Sequence, residues 1–215
     1  MSVFLSYQTE DRHIAAEISK FFRDVEIEPF MAHEHIELSQ AWQDTILLKL
    51  EEAEIFVAVL TERYLKSEYC IQESGIAVFC EEELAIMPLS IDGTLPPGFM
   101  KHIQARRFEP GRDNDAVLFG GLASFDVRYS VDLLVNRLGA CNSFASAEKW
   151  FGILRPYIPQ ATPQQKVDVL EAAAGNGQFA ASWGCKDGLS QLYEKHGHRL
   201  DDNSRTYLEK MLDIR

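Results

Sequence analysis

Six consecutive apolar residues, Ile55-Phe56-Val57-Ala58-Val59-Leu60, run without a polar interruption. A strand that faces water on one side alternates apolar with polar residues; a short run without alternation fits a strand buried on both faces. It is far too short to span a bilayer. Helical periodicity flanks it. Ahead lie Trp42, Ile46, Leu47 and Leu50 on one stripe, and behind lies a helical segment over residues 70–79. A doubly buried strand between two helices belongs in the middle of a parallel sheet covered on both sides. Four further short strands are predicted, at 3–7, 27–31, 85–91 and 104–108. Between the first two, Ile14, Ala15, Ile18, Phe21 and Phe22 recur at helical spacing, with Thr9 offering an N-cap and Glu10 and Asp11 an acidic first turn. Ser39 could cap the helix that carries Trp42. The expectation is an α/β fold, a five-stranded parallel sheet with helices on both faces.

After Gly111 the alternation stops. Residues 131–138 read as a helix that closes the first domain. Residues 145–157, 163–174, 188–195 and 203–212 read as further helices, separated by Pro156, Pro159, Gly175-Asn176-Gly177 and Gly184. Asp202-Asn203-Ser204 is a cap signal for the last of them. The predicted division is an α/β domain over 1–140 and a small all-helical C-terminal module over 141–215.

Charge follows the same division. Residues 1–140 hold 12 Lys and Arg against 24 Asp and Glu, and residues 141–215 hold 9 against 9, so the net −12 lies wholly in the first segment. An acidic domain beside a neutral one disfavours nucleic acid, which needs a basic face, and an anionic membrane surface. Cys70, Cys80, Cys141 and Cys185 show no CxxC spacing. The first strand begins almost at once, with no basic segment ahead of an apolar one. A reduced, cytoplasmic protein without a leader is therefore expected.

An open parallel sheet binds ligands beyond the carboxyl ends of its strands. The segments there are 6–10, 32–39, 61–67 with the helix that follows, and 92–99. No Gly-rich phosphate loop occurs in them: GxGxxG and GxxxxGK[ST] are both absent. Several pieces do match one family in order. Phe4-Leu5-Ser6-Tyr7 with Glu10-Asp11, Glu28-Pro29-Phe30-Met31-Ala32-His33-Glu34-His35-Ile36, Trp42 with Ile46, and Phe56-Val57-Ala58-Val59-Leu60-Thr61 come first. Tyr64, Ser67, Tyr69-Cys70-Ile71-Gln72-Glu73, Gly75, Pro88-Leu89 and Pro96-Pro97-Gly98-Phe99 follow. Together they resemble a TIR (Toll/interleukin-1 receptor) domain of the bacterial, NAD-consuming kind. The resemblance implies a flavodoxin-like sheet and does not reach residues 141–215.

The resemblance implies cleavage of the nicotinamide–ribose bond of NAD+, by hydrolysis or cyclisation, with Glu73 at the catalytic position. A lone carboxylate suits that chemistry. Nicotinamide leaves as a neutral pyridine, and the positive charge that develops on the ribose is what a nearby carboxylate stabilises. Substrate contacts are expected from Ser6, Tyr7, Phe30, Ala32, His33, Trp42, Ser67 and Tyr69. Tyr69 stands where many catalytic relatives carry tryptophan; its ring can still stack on nicotinamide or adenine. His33 and His35 fall in the segment that resembles the family's mobile loop after the second strand, and a histidine there could respond to pH. His-x-His alone lacks the further ligands of a zinc site, so no metal is expected. NAD+ is expected as substrate, with no resident cofactor.

The family also implies self-association through TIR–TIR contacts, a separate sensor or effector protein, and a setting in bacterial anti-phage immunity. Other strand–helix families fit worse. A receiver domain needs an Asp at the end of its third strand, where Thr61-Glu62 stands, and a Ser-His-Asp hydrolase needs GxSxG. A non-catalytic TIR scaffold is the alternative.

Overall fold

In the computed structural model the structure describes residues 1–31, 40–80 and 84–214, with 40–42 described by backbone alone. Contacts divide the chain into two compact units, Met1–Gly121 and Leu122–Arg215.

The first unit is the expected sheet. Strands β1 (Val3–Ser6), β2 (Pro29–Met31), β3 (Ile55–Leu60), β4 (Ala85–Ser90) and β5 (Arg106–Arg107) are all parallel and lie in the order β2-β1-β3-β4-β5. The apolar run is indeed central: all six residues of β3 are buried, and it pairs with β1 and β4. Its period-2 side chains serve two cores. Phe56, Ala58 and Leu60 join Phe4, Ile46, Leu50, Tyr64, Cys70 and Ala77 in one cluster, against α2 (Gln40–Glu51) and α3 (Glu68–Phe79). Ile55, Val57 and Val59 point the other way and are fully buried too. That second core carries α1 (Arg12–Asp24), whose Phe21 meets Phe119 of α4 (Asp115–Phe125) edge to face at 5.1 Å.

Several local expectations shift. Tyr7 and Ile27 lie outside the strands. Thr9–Asp11 forms a 3₁₀ turn leading into α1, and Gln8 rather than Thr9 caps that turn, its side chain accepting from the Glu10 amide at 2.7 Å; Asp11 stands at the start of α1 without a side-chain cap bond. Ser39 lies outside the described residues. On α2, Ile46 and Leu50 are buried as the stripe implied, but Leu47 is 51% exposed. Helix α4 has no counterpart in the sequence reading, because Gly120-Gly121 sits inside it and its apolar residues have no clear helical stripe. A Cβ on Gly121 would sit 2.3 Å from Met87 Cε. The glycine thus lets the helix lie on β4.

The second unit is wholly helical. It comprises α5 (Val127–Gly139), α6 (Phe144–Leu154), α7 (Pro163–Gly175), the short α8 (Gly177–Ala180), α9 (Trp183–His196) and α10 (Asp202–Leu212). Its compact unit begins at Leu122, ahead of the expected division at 140/141, because α5 packs on α6 and α7. Pro156 and Pro159 turn residues Arg155–Gln160 into a 3₁₀ segment, where one continuous helix over 145–157 was expected. Helix α9 starts five residues before the predicted 188 despite its glycines. Its two internal glycines allow close approach: a Cβ on Gly184 would meet the Glu148 carboxylate at 3.0 Å, and one on Gly188 the Phe151 ring at 2.6 Å. Asp201, one residue before the predicted cap signal, caps α10.

Asn176 ties this unit together. Its Nδ2 donates to the carbonyls of Gly139 and Cys141, both at 2.9 Å, and of Leu138 at 3.2 Å, while its Oδ1 accepts from Gln178 N at 2.9 Å. Asn176→Ala removes a cap and leaves the end of α5 short of a donor. The expected loss is about 2 kcal/mol of stability of the helical unit, measured by urea unfolding.

Candidate functional site

At the carboxyl edge of the sheet, the chain leaving β1 and the chain leaving β3 meet the start of α3. Ser67 caps that helix, its hydroxyl accepting from the Cys70 amide at 3.3 Å. The cap sets the first turn so that Glu73 and Ser74, one and a half turns in, face the strand ends. Ser6 is the last residue of β1 and fully buried; Tyr64 lies in the 3₁₀ turn Tyr64–Lys66 after β3 and is fully buried too.

These four side chains form one chain of hydrogen bonds. Ser6 Oγ donates to Glu73 Oε2 at 2.5 Å, lies 3.0 Å from Tyr64 OH, and Tyr64 OH lies 2.8 Å from Ser74 Oγ. Each hydroxyl has one proton. With Ser6 donating to the ionised carboxylate, Ser6 must accept from Tyr64, and Tyr64 from Ser74. All three protons then point toward Glu73, and such a series polarises in one direction. The other carboxylate oxygen, Oε1, is buried and has no hydrogen-bond partner among the described residues.

Glu73 is 3% exposed, and this burial pushes its carboxyl up to about 7, opposed by the bond from Ser6. Burial also lifts Cys70 to about 12, which keeps that neighbour a thiol. Tyr64 is held well above the ordinary tyrosine range by burial and by the nearby Cys70 and Glu73. Glu73 is thus the one group of this cluster that changes charge near neutral pH. It lines a hollow of about 230 Å³ between α2 and α3, with Asp44, Leu47, Tyr69 and Gln72. Leu47, exposed where the helical stripe suggested a core position, is part of this wall.

This geometry sits in a domain whose family is recognisable. Residues 3–118, over half of the chain, match the model of the TIR domain. The chain belongs to the TIR domain family. Comparison with curated proteins finds no match. The TIR domain's β1, β3 and α3 are therefore the elements that carry the four-residue cluster.

The structure brings only some of the sequence-predicted residues together. Ser6 touches Glu73, and Tyr69, 43% exposed, shares its hollow. Ser67 acts at the end of α3 as its cap. Tyr7 is fully buried and does not line the hollow. Phe30 packs on Phe4 with ring centroids 5.4 Å apart, and borders a different hollow with Pro29, Lys49 and Glu52. Ala32, His33, His35 and the side chain of Trp42 lie outside the described residues.

Two features went unread in the sequence. Tyr64 and Ser74 were visible as polar residues flanking Glu73, but only folding shows that they share a cluster. The second is Asp11. It reads as a first-turn acid, yet it is fully buried, takes the Thr61 hydroxyl at 2.6 Å, and pairs with Arg63, whose Nε lies at 3.1 Å. Thr61 also accepts from the Tyr64 amide at 3.1 Å. The start of α1 is thereby tied to the turn that positions Tyr64. Thr61→Val keeps the shape and removes both bonds, leaving a buried carboxylate oxygen and an amide unpaired. The expected cost is about 1–3 kcal/mol, measured by urea unfolding.

Proposed function

We propose that this TIR domain cleaves the nicotinamide–ribose bond of NAD+, with Glu73 as the carboxylate that stabilises the developing charge. One observation carries the reading. A buried carboxylate has one oxygen held by Ser6 and the other without a partner, in a hollow at the carboxyl edge of the sheet. As the C1′–N bond breaks, its electrons leave with neutral nicotinamide, and positive charge spreads over C1′ and the ring oxygen. Ionised Glu73 opposes that charge, and Tyr69 offers a ring to the leaving base. Water then adds at C1′ and loses a proton to give ADP-ribose; an internal nucleophile gives a cyclic product instead.

NAD+ is substrate here, not a resident cofactor. Self-association through TIR–TIR contacts completes the site, and the setting is bacterial anti-phage defence, with a separate protein as trigger. Among the described residues no helix is long and apolar enough to cross a membrane. The test is incubation of wild type and Glu73→Gln with NAD+ at high protein concentration or with a crowding agent, followed by mass analysis. Nicotinamide release by the wild type and its loss in the variant are expected. Equal inertness of the two, once assembled, would make the domain a scaffold. Hydrolytic and cyclised products differ by one water.

A further inference from the structure

The helical unit holds a second hollow, of about 600 Å³, far from neutral in lining although its chain segment carries no net charge. Three elements wall it. Helix α9 presents Asp187, Gln191, Leu192, Lys195 and His196 along one face, α7 contributes Lys166, and the 3₁₀ segment contributes Arg155, Ile158 and Pro159. Four groups that are or can become cationic thus face one acid, Asp187.

Three other acids of this unit have partners of their own. Glu148 accepts from Ser182 and the Gly184 amide, Asp213 pairs with Lys186, and Glu209 accepts from Tyr193. Among the described residues neither the Lys166 nor the Lys195 ammonium group has a hydrogen bond or an ion pair. Arg155 is fixed by its stacking on Phe151 and its bond to Gly184 O at 3.3 Å. Gly188 permits that arrangement, since a Cβ there would meet the Phe151 ring at 2.6 Å and Arg155 Nη2 at 3.5 Å. Gathering like charges without a partner is unfavourable, and a bound anion relieves it. The other wall is apolar: Leu192 is buried, and Ile158 and Pro159 flank it. The volume falls within the few hundred to about 1,000 Å³ usual for small-molecule sites.

We infer that this pocket binds a nucleoside diphosphate-type ligand, with its phosphates between Lys166 and Lys195 and its base or sugar against Ile158, Pro159 and Leu192. A lysine pair holds phosphate as point charges. Arg155 adds a planar donor at the rim. The pocket makes the helical unit a ligand-binding module whose occupancy does not depend on the chemistry at Glu73. His196 supplies a signature. Burial first, then the facing Lys166, Arg199, His198 and Lys195, hold its imidazole below the ordinary value. Phosphate beside it, with Asp187 the one acid in the lining, favours the protonated ring, so binding takes up a proton.

Titration calorimetry of the full chain with ADP, with inorganic pyrophosphate and with adenosine tests this. The variants are Lys166→Glu/Lys195→Glu, both outside the hydrophobic core, and Glu73→Gln. Expected are saturable ADP binding, at least tenfold weaker in the double variant and unchanged in Glu73→Gln. The apparent enthalpy should vary with buffer ionisation at pH 7, and the slope of that variation should change in His196→Gln, which removes the ring's proton uptake and leaves only that of the terminal phosphate. Binding of ADP that survives the double charge reversal resides elsewhere and overturns the inference. So does pyrophosphate binding as tight as ADP, because the apolar wall then contributes nothing. A double variant that binds poorly but has lost the wild-type circular dichroism is replaced by Lys195→Gln alone, for which at least threefold weakening is expected and unchanged affinity overturns the inference.

Discussion

Glu73→Gln is expected to lower nicotinamide release by about 10² to 10³-fold, the size of effect seen when one preorganised electrostatic group is removed from a transition state. Gln is nearly isosteric and its carbonyl can still accept from Ser6, so the bond at 2.5 Å has a neutral counterpart and the four-residue cluster can persist. Only the charge is lost. The loss should appear in kcat more than in KM, because the charge on the ribose exists only in the transition state. The pH profile provides a second check. The working form of Glu73 is the carboxylate, and its carboxyl is raised to about 7. Wild-type kcat/KM should therefore climb nearly tenfold per pH unit below 7 and level off above it, as the fraction ionised does. A profile that falls above pH 7 would make the protonated acid the working form and overturn the assigned role.

The second large effect is on stability. Glu73 titrates at about 7 in the folded protein and near 4.5 ordinarily, a difference of 2.5. At roughly 1.4 kcal/mol per unit this is about 3 kcal/mol. The sign follows from where the proton sits. Below pH 4.5 the carboxyl is protonated whether the chain is folded or not, and no penalty applies. Between 4.5 and 7 the unfolded chain releases its proton while the folded chain keeps it, so unfolding gains. Above 7 both forms are ionised and the full penalty, the cost of burying a charge, is present. Stability from this group is thus complete in acid and lost as pH rises through 7.

Glu73→Gln removes the titration. Urea unfolding of the two proteins should give similar stabilities at pH 4.5 and a variant more stable by up to about 3 kcal/mol at pH 8. The remaining acids titrate alike in both proteins, so the difference isolates Glu73. A difference that stays constant across this range would show that the carboxylate is solvated in the folded state. A domain that is more stable without the Glu73 charge gains nothing in folding from that carboxylate.

The hollow beside Glu73 is modest, at about 230 Å³, below the roughly 300–1,000 Å³ usual for small-molecule sites. A second TIR domain laid against this edge would supply the remaining walls.

The sheet was legible from β3 outward because burial on both faces leaves a mark on every residue. A six-residue run with no polar position allows little else between two helical segments, and the order β2-β1-β3-β4-β5 is the flavodoxin-like one that the family resemblance implied. Glu73 was legible from the order of motif pieces around it. The tail was legible as helices from caps and prolines, but its helix boundaries were not. Gly184 reads as a separator along the chain, whereas in the fold it lies inside α9, where a Cβ would meet the Glu148 carboxylate at 3.0 Å; Gly121 and Gly188 likewise sit inside helices, close against Met87 and the Phe151 ring.

What the sequence determined by itself was local or periodic: strands, helix stripes, caps, the acidic balance of the first segment and the family pattern. Tertiary structure alone decided which polar groups lost their water and met each other. Ser6, Tyr64 and Ser74 are ordinary hydroxyls along the chain, 67 residues separate Ser6 from Glu73, and only packing places them in contact. The same holds for Asp11, exposed in any local reading yet fully buried against Thr61 and Arg63. Burial is a property of all the neighbours at once, and a carboxyl's charge at neutral pH depends on it. The sequence therefore identified Glu73 as a candidate, and the fold determined what kind of acid it is.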